Sequence, residues 1–357
     1  MKDPAKPGAQ LVEGIQYLRG IAAMMVVFHH ARNEFGGAMS VTFGALGVEI
    51  FFVISGLVMM YSTRGGLLGA GQPIAYQWGQ TMLFWKRRFL RVAPLYWIAL
   101  LVSTVFYYRV NLADWTLLGD ALFIPQWNKA WVGQIWPTLV PGWSLNYEMF
   151  FYLLFGLSFL LGRWSVWGMC AVISGLVALG MQFQFTQAWS RFYTGAVMLH
   201  FVAGMLLYYV VEALRQRQTL IPPRWALAII FVIAFAALGI SPTWASVLWL
   251  PVVAAIIVGS AVFLFDGVKL PVLRVLGDAS YSIYLFHMVS FVLARQMLNW
   301  TGLTADTHWG VVTYFTVYTS VGAILGIASH FLMEKPLTNQ TVRLVKRERT
   351  GSKVTVG

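Results

Sequence analysis

Charge is what this sequence has least of. Asp, Glu, Lys and Arg make up 11% of its 357 residues, where a soluble domain carries about 25%. So few charges cannot cover a surface in water, which excludes a soluble globular fold. Cysteine is nearly absent. Cys170 stands alone, which rules out an intrachain disulfide and a thiolate metal cluster, and no metal site is expected. A cleavable signal peptide is not expected either, because the first apolar segment runs into "HHARNE" and not into small residues. Internal repeats, domain-separating linkers and nucleic-acid modules are not evident in the sequence.

What is present is hydrocarbon. Hydrophobic residues make up 59% of the chain and the mean hydropathy is +0.68. No Asp, Glu, Lys or Arg occurs in 92–108, 164–190, 192–211, 225–265, 279–294 or 307–333. A bilayer-crossing helix needs roughly 20 apolar residues. The expected fold is therefore all-α, a polytopic integral membrane protein of about ten transmembrane helices. The spans are expected at 15–35, 44–62, 92–110, 141–161, 165–184, 194–212, 225–240, 244–265, 279–299 and 309–332, with "SPT" at 241–243 as a turn. An even count puts both termini on one side. With that side cytoplasmic, only Arg32, Arg109, Lys129, Arg191 and Arg295 of the 25 cations fall outside, the positive-inside bias. Residues 1–14 and 333–357 then form cytoplasmic tails around one membrane domain, 15–332. The net charge of +12 reflects this bias and attraction to anionic lipid, not to nucleic acid. Residues 111–140, rich in Trp and Pro, form the longest external loop.

Ionisable groups inside spans are costly and mark sites. Here they are Arg19, His29, His30, Glu49, Glu148, Asp278 and His287, with His200 and His330 nearer the margins. Arg19 and His30 are eleven residues apart, which on a helix brings them within about 20° of one line and ~16 Å apart along the axis. They are expected to line one cavity from two depths. His29 points about 80° away, toward a neighbouring helix. In "FWKRRFLRVAPLYW" (84–97), Arg87, Arg88 and Arg91 cluster where a helix meets the cytoplasm. They read either as positive-inside anchors or as a phosphate clamp, since guanidinium groups bind phosphate bidentately. In "VPGWSLNYEMFFYLLF" (140–155), Ser144, Glu148 and Tyr152 form a polar stripe at i, i+4 and i+8. Ser280, Tyr284 and His287 share another face in "GDASYSIYLFHMV" (277–289). Glu49 stands near the external end of "GALGVEIFFVISGLVMM" (44–60), able to counter a histidine or arginine. Ser55 and Gly56 there are expected to permit close helix packing.

Taken together, these stretches resemble the acyltransferase 3 family of membrane acyltransferases. The resemblance rests on Arg19 and His30, "GVEIFFVISG" (47–56), "RRFLRVAPLYW" (87–97), "WSLNYE" (143–148) and "SYSIYLFH" (280–287), in the family's order along nearly the whole chain. The wording of "IQYLRGIAA" and "WSLNYEMFFY" is most similar to the family's bacterial exopolysaccharide-production O-acetyltransferases. The resemblance implies transfer of an acyl group, generally acetyl from cytoplasmic acetyl-CoA, to a sugar hydroxyl of an exopolysaccharide or its lipid-linked precursor, at the bacterial inner membrane. It also implies His30, Arg19 and Glu148 as the catalytic set and Arg87, Arg88 and Arg91 as the donor-binding cluster. Glu49, Ser144, Tyr284 and His287 are expected to support them. An imidazole suits either general-base or acyl-carrier work because it titrates near neutrality. Glu148 or Glu49 is expected to orient the His30 ring, with Arg19 stabilising a phosphate or carbonyl oxygen. Direct transfer and an acyl-histidine route both remain open. A proton-coupled secondary transporter is the alternative, since intramembrane His, Glu and Arg also build proton relays.

Overall fold

Inside hydrocarbon every backbone donor and acceptor needs a partner within the chain, and a helix supplies these locally. The computed structural model describes residues 7–33, 43–63, 65–66, 70–108, 114–239, 246–301 and 308–341, which hold helices and no strand. Arg64, Arg109, the turn at 241–243, residues 1–6 and residues 342–357 lie outside these residues.

In chain order the helices are α1 (Pro7–Asn33), α2 (Gly47–Ser62), α3 (Ile74–Ser103), a short α4 (Thr116–Ala121), α5 (Gly142–Ser158), α6 (Ser165–Gln182) and a short α7 (Ala188–Tyr193). They continue as α8 (Leu199–Gln216), α9 (Arg224–Gly239), α10 (Ser246–Leu264), α11 (Pro271–Asp278), α12 (Ser280–Thr301) and α13 (His308–Ser329). A helix thus occupies each of the ten segments expected to cross. Five helical runs are long and apolar enough to do so by length and composition: Ile74–Phe106, Gly142–Gln182, Ala196–Gln216, Val247–Leu264 and Trp309–Thr341. A sixth is added if α11 and α12, bent by 74° at their junction, form one broken span. The chain is a multi-pass helical membrane protein.

One boundary differs from expectation. The third long helix starts at Ile74 and not near 92, so the arginine cluster lies within continuous helix. The charges at 86–91 interrupt the hydrocarbon without interrupting helix propensity, since Lys and Arg are good helix formers. The run from α5 to α6 breaks at Gly162, between the spans expected at 141–161 and 165–184, and its φ of 55° is left-handed backbone that glycine adopts without a Cβ clash.

α1 is the hub, packing against α2, α10, α11, α12 and α13. Its approach to α11 depends on missing side chains: a Cβ on Gly20 would come within 2.9 Å of the Gly277 nitrogen, and one on Gly277 would strike the Gln16 carbonyl. α2 meets α8 in the same way, with Gly56 against Gly204 backbone to backbone. Packing of small residues replaces the hydrophobic effect that lipid cannot supply between helices. Leu, Ile, Val and Trp side chains remain exposed on outer faces, including Ile229, Val232 and Ile233 of α9, as a lipid-facing surface requires.

Candidate active site

A cavity of about 280 Å³ opens between α1, α2, α3, α5 and α12. Of the residues expected to act, Arg19, Arg88, Arg91, Ser144, Glu148 and Tyr284 line it, together with Ser55, Tyr152 and Ser280. Each helix contributes one polar face, and the tight α1–α11 and α2–α8 contacts fix how those faces meet.

At the mouth, Arg91 is exposed, and Arg88 is held one turn earlier on the helix. The Arg88 guanidinium lies 5.5 Å from the Phe84 ring centroid and 5.6 Å from that of Tyr152, and its Nη2 donates to Ser62 Oγ at 3.0 Å. A guanidinium clasped between two rings presents its remaining N–H groups in a fixed direction. Arg87 is exposed and not part of the lining. The helix turns it outward, so only two of the three clustered arginines face the cavity.

Midway along the cavity, Glu148 accepts hydrogen bonds on Oε1 from Ser55 (3.0 Å) and Tyr152, which ties α2 to α5. Arg19 donates to Gln16 Oε1 at 3.3 Å, and Gln16 in turn donates to Asp278 at 2.9 Å. The charges acting on Arg19 are Arg91, Glu334 and Glu148. Glu334 was not singled out from sequence. It follows an apolar run and precedes Lys335, which reads as a membrane-interface residue, yet it is buried. It sits on a π-helical turn (His330–Glu334) and accepts from Ser282 at 2.7 Å and His330 Nδ1 at 2.8 Å. Its signal in the sequence was the carboxylate closing a charge-free stretch.

His30 lies beyond the cavity's lining. It shares a helix face with Arg19, as the spacing required, but the lining ends at Phe51 and Tyr284, whose rings meet at 6.0 Å. One turn past Tyr284, His287 packs on His30 with ring centroids 4.9 Å apart. His287 Nδ1 lies 2.8 Å from the Tyr284 carbonyl, and His287 Nε2 lies 3.2 Å from His30 Nδ1. A carbonyl only accepts, so His287 carries its proton on Nδ1 and offers a lone pair at Nε2. His30 Nδ1 then donates, toward that lone pair and toward Val26 O at 3.0 Å. The network assigns the tautomer and leaves the basic lone pair of His30 on Nε2. His29 lies outside the cavity lining, its Cβ against Gly44 on the 43–46 turn and its ring edge-on to that of His30 at 5.2 Å.

Two expectations are corrected here. Glu148 bonds Ser55 and Tyr152, and Glu49 pairs with His200 across α2 and α8. Neither carboxylate orients His30, whose Nδ1 is held by the Val26 carbonyl and the second imidazole. Helical spacing along α2 and α5 gave the direction of those carboxylates only within their own helices. The supporting pair Ser144 and Tyr284 does meet: Tyr284 donates to the Pro141 carbonyl at 2.8 Å, and its hydroxyl lies 2.7 Å from Ser144 Oγ. Among the described residues, no group of three or more His, Cys, Asp or Glu could hold a metal ion.

A family model described as an acyltransferase domain matches residues 12–330. The exopolysaccharide production protein ExoZ of Rhizobium meliloti (strain 1021) is 31% identical over 311 residues, covering 83% of this chain and 90% of its own. The acyltransferase MdmB of Streptomyces mycarofaciens is 24% identical over 374 residues, covering 93% of this chain and 92% of its own. The putative peptidoglycan O-acetyltransferase YrhL of Bacillus subtilis (strain 168) is 27% identical over 379 residues, covering 94% of this chain and 56% of its own. No solved structure matches the chain at a significant level.

Proposed function

Because the chain belongs to the acyltransferase 3 family of membrane enzymes, we propose that it moves an acetyl group from acetyl-CoA to a sugar hydroxyl of an exopolysaccharide or its lipid-linked precursor. The observation that carries this reading is the order of groups along one path. Two arginines stand at the mouth, Arg19 and Glu148 in the middle, and an oriented imidazole pair one turn past the inner wall.

In this reading Arg88 and Arg91 bind the diphosphate of the donor with charge-assisted hydrogen bonds, and the thioester arm extends into the cavity. Arg19, three helical turns from His30, holds a phosphate or carbonyl oxygen of the donor's arm and not the reacting centre. His30 Nε2 removes the proton of the sugar hydroxyl as that oxygen attacks, and the thiolate of CoA leaves. In the acyl-histidine variant the same nitrogen attacks first and then passes the acetyl to the sugar oxygen. The thioester reaches His30 only if Phe51 or Tyr284 gives way, so a side-chain movement at that wall belongs to the cycle. The ten helices cross the bacterial inner membrane with both termini in the cytoplasm, which puts the arginine mouth beside cytoplasmic acetyl-CoA. A reporter fused at Gln216 then reads cytoplasmic and one at Lys129 periplasmic, and the opposite pattern reverses the orientation.

The test uses purified protein in nanodiscs, acetyl-CoA labelled in the acetyl group, and the host's polysaccharide after alkaline deacetylation. Alkali-labile label on the polymer is the expected result. Polymer that gains no label, and that has the same acetyl content by mass spectrometry in cells with and without the protein, overturns the reading.

A further inference from the structure

The loop between α3 and α5 holds a second pocket, of about 90 Å³, away from the helical cavity. It is lined by Trp127, Trp131 and Trp136 together with Asp114, Asn128 and Lys129. Its indoles are arranged, not scattered. Arg191 covers one face of Trp127 at 5.6 Å, while Trp131 and Trp136 meet at 6.1 Å with a 59° tilt. Trp131 remains 55% exposed.

The polar groups around them are held by second partners and keep spare capacity. Lys129 Nζ lies 2.8 Å from both Asp114 oxygens, and Asp114 Oδ1 also accepts from the Thr116 amide and hydroxyl at 2.9 Å. That leaves Oδ2 with a single partner in the network. Asn128 spends Oδ1 on the amides of Ala130 and Trp131, and one amide hydrogen on the Trp136 carbonyl. Its second amide hydrogen and the remaining ammonium hydrogens of Lys129 complete a set of fixed donors beside a fixed acceptor. Indoles also anchor proteins at the headgroup level of a membrane, but here a carboxylate and an ammonium are locked to one another, and an amide to the loop backbone, among the rings and form a pocket. Flat aromatic faces next to prepositioned donors and acceptors suit a ligand with apolar C–H faces and vicinal hydroxyls, which is a sugar ring.

The pocket is tied to the transfer site by short covalent and hydrogen-bonded paths. Thr138 N donates to Asp120 Oδ2 at 2.8 Å, Tyr96 of α3 donates to the Asp120 carbonyl at 3.1 Å, and Pro141 receives Tyr284. Tyr284 is one turn from the His30–His287 pair, so the pocket stands on the histidine side of the protein, opposite the arginine mouth.

We propose that the Trp127–Trp131–Trp136 pocket is a carbohydrate subsite that holds a neighbouring sugar of the acceptor while its hydroxyl reaches His30. The proposal rests on the glycan-acceptor reading above and adds where the glycan is gripped. Oligosaccharides cut from the host's alkali-deacetylated polysaccharide are titrated onto the full chain in nanodiscs, without donor, by isothermal calorimetry. Binding to the wild type is expected, with a loss of about tenfold in Trp131→Ala and partial recovery in Trp131→Phe, which keeps an aromatic face. In turnover the same variant raises the acceptor KM and leaves the acetyl-CoA KM unchanged. Equal affinity in wild type and Trp131→Ala, or no binding to the wild type, overturns the subsite. Binding to the wild type without acetyl transfer upholds the subsite and overturns the transferase chemistry instead, so the two failures are distinguishable.

Discussion

Replacing His287 by Phe tests whether one imidazole acts through the other. His287 is fully buried, and its Nε2 is the side-chain acceptor that His30 Nδ1 meets at 3.2 Å. Phenylalanine keeps the ring and the packing on Phe291, 5.7 Å away, but removes that acceptor. Deleting one partner of a buried hydrogen bond costs about 1–3 kcal/mol, which corresponds to a drop of about 5- to 150-fold in kcat. Val26 O still holds the His30 proton, so the loss is smaller than the roughly 10²–10⁴-fold expected for His30→Ala. Labelled acetyl transfer to polymer, scored per mole of inserted protein, gives both numbers. The donor KM should not move, because Arg88 and Arg91 are untouched, and His287→Gln should recover part of the rate through its amide oxygen. The decisive variant is the double one. If His287 works only by aiming His30, adding His287→Phe to His30→Ala costs nothing further. Multiplicative losses in the double variant would refute the positioning role, as would a His29→Ala variant as inactive as His30→Ala.

Three other outcomes follow from the same geometry. Arg88→Glu and Arg91→Glu should each raise the acetyl-CoA KM by about 10- to 150-fold, from about 1.5–3 kcal/mol per charge-assisted bond, with lysine recovering part; Arg87→Ala should change it little, and equal effects at all three positions would count against the two-arginine mouth. Gly204→Val places a Cβ on the Val53 carbonyl and pries α8 from α2, so thermal unfolding in detergent should show a loss of about 1–3 kcal/mol, and an unchanged Tm would contradict the close packing. The Asp114 carboxyl is held down at about 2 by the Lys129 ammonium and the Thr116 donors; a depressed carboxylate contributes above its ordinary pKa of about 3.9 and is lost as pH falls through its folded value, so the Thr116 amide should keep its protection factor, measured against the intrinsic exchange rate at each pH, at pH 4 and lose it only near pH 2.

The sequence by itself determined the solvent and the helices. A chain with 11% charge and charge-free stretches long enough to cross hydrocarbon has one way to satisfy its backbone, and the helices lie where those stretches lie. Spacing also determined which side chains share a face, since periodicity is a property of one helix: Arg19 with His30, Ser144 with Glu148, Tyr284 with His287. Only the tertiary structure decided which faces meet. The partner of His30 came from α12 and not from either expected carboxylate, because the rotation of α1 is set by Gly20 against Gly277, a contact 257 residues apart that leaves no local pattern. Glu334 escaped notice for the same reason. Its burial comes from helices packed around a π turn, while its own neighbours in the chain, Lys335 and Pro336, read as the edge of the membrane.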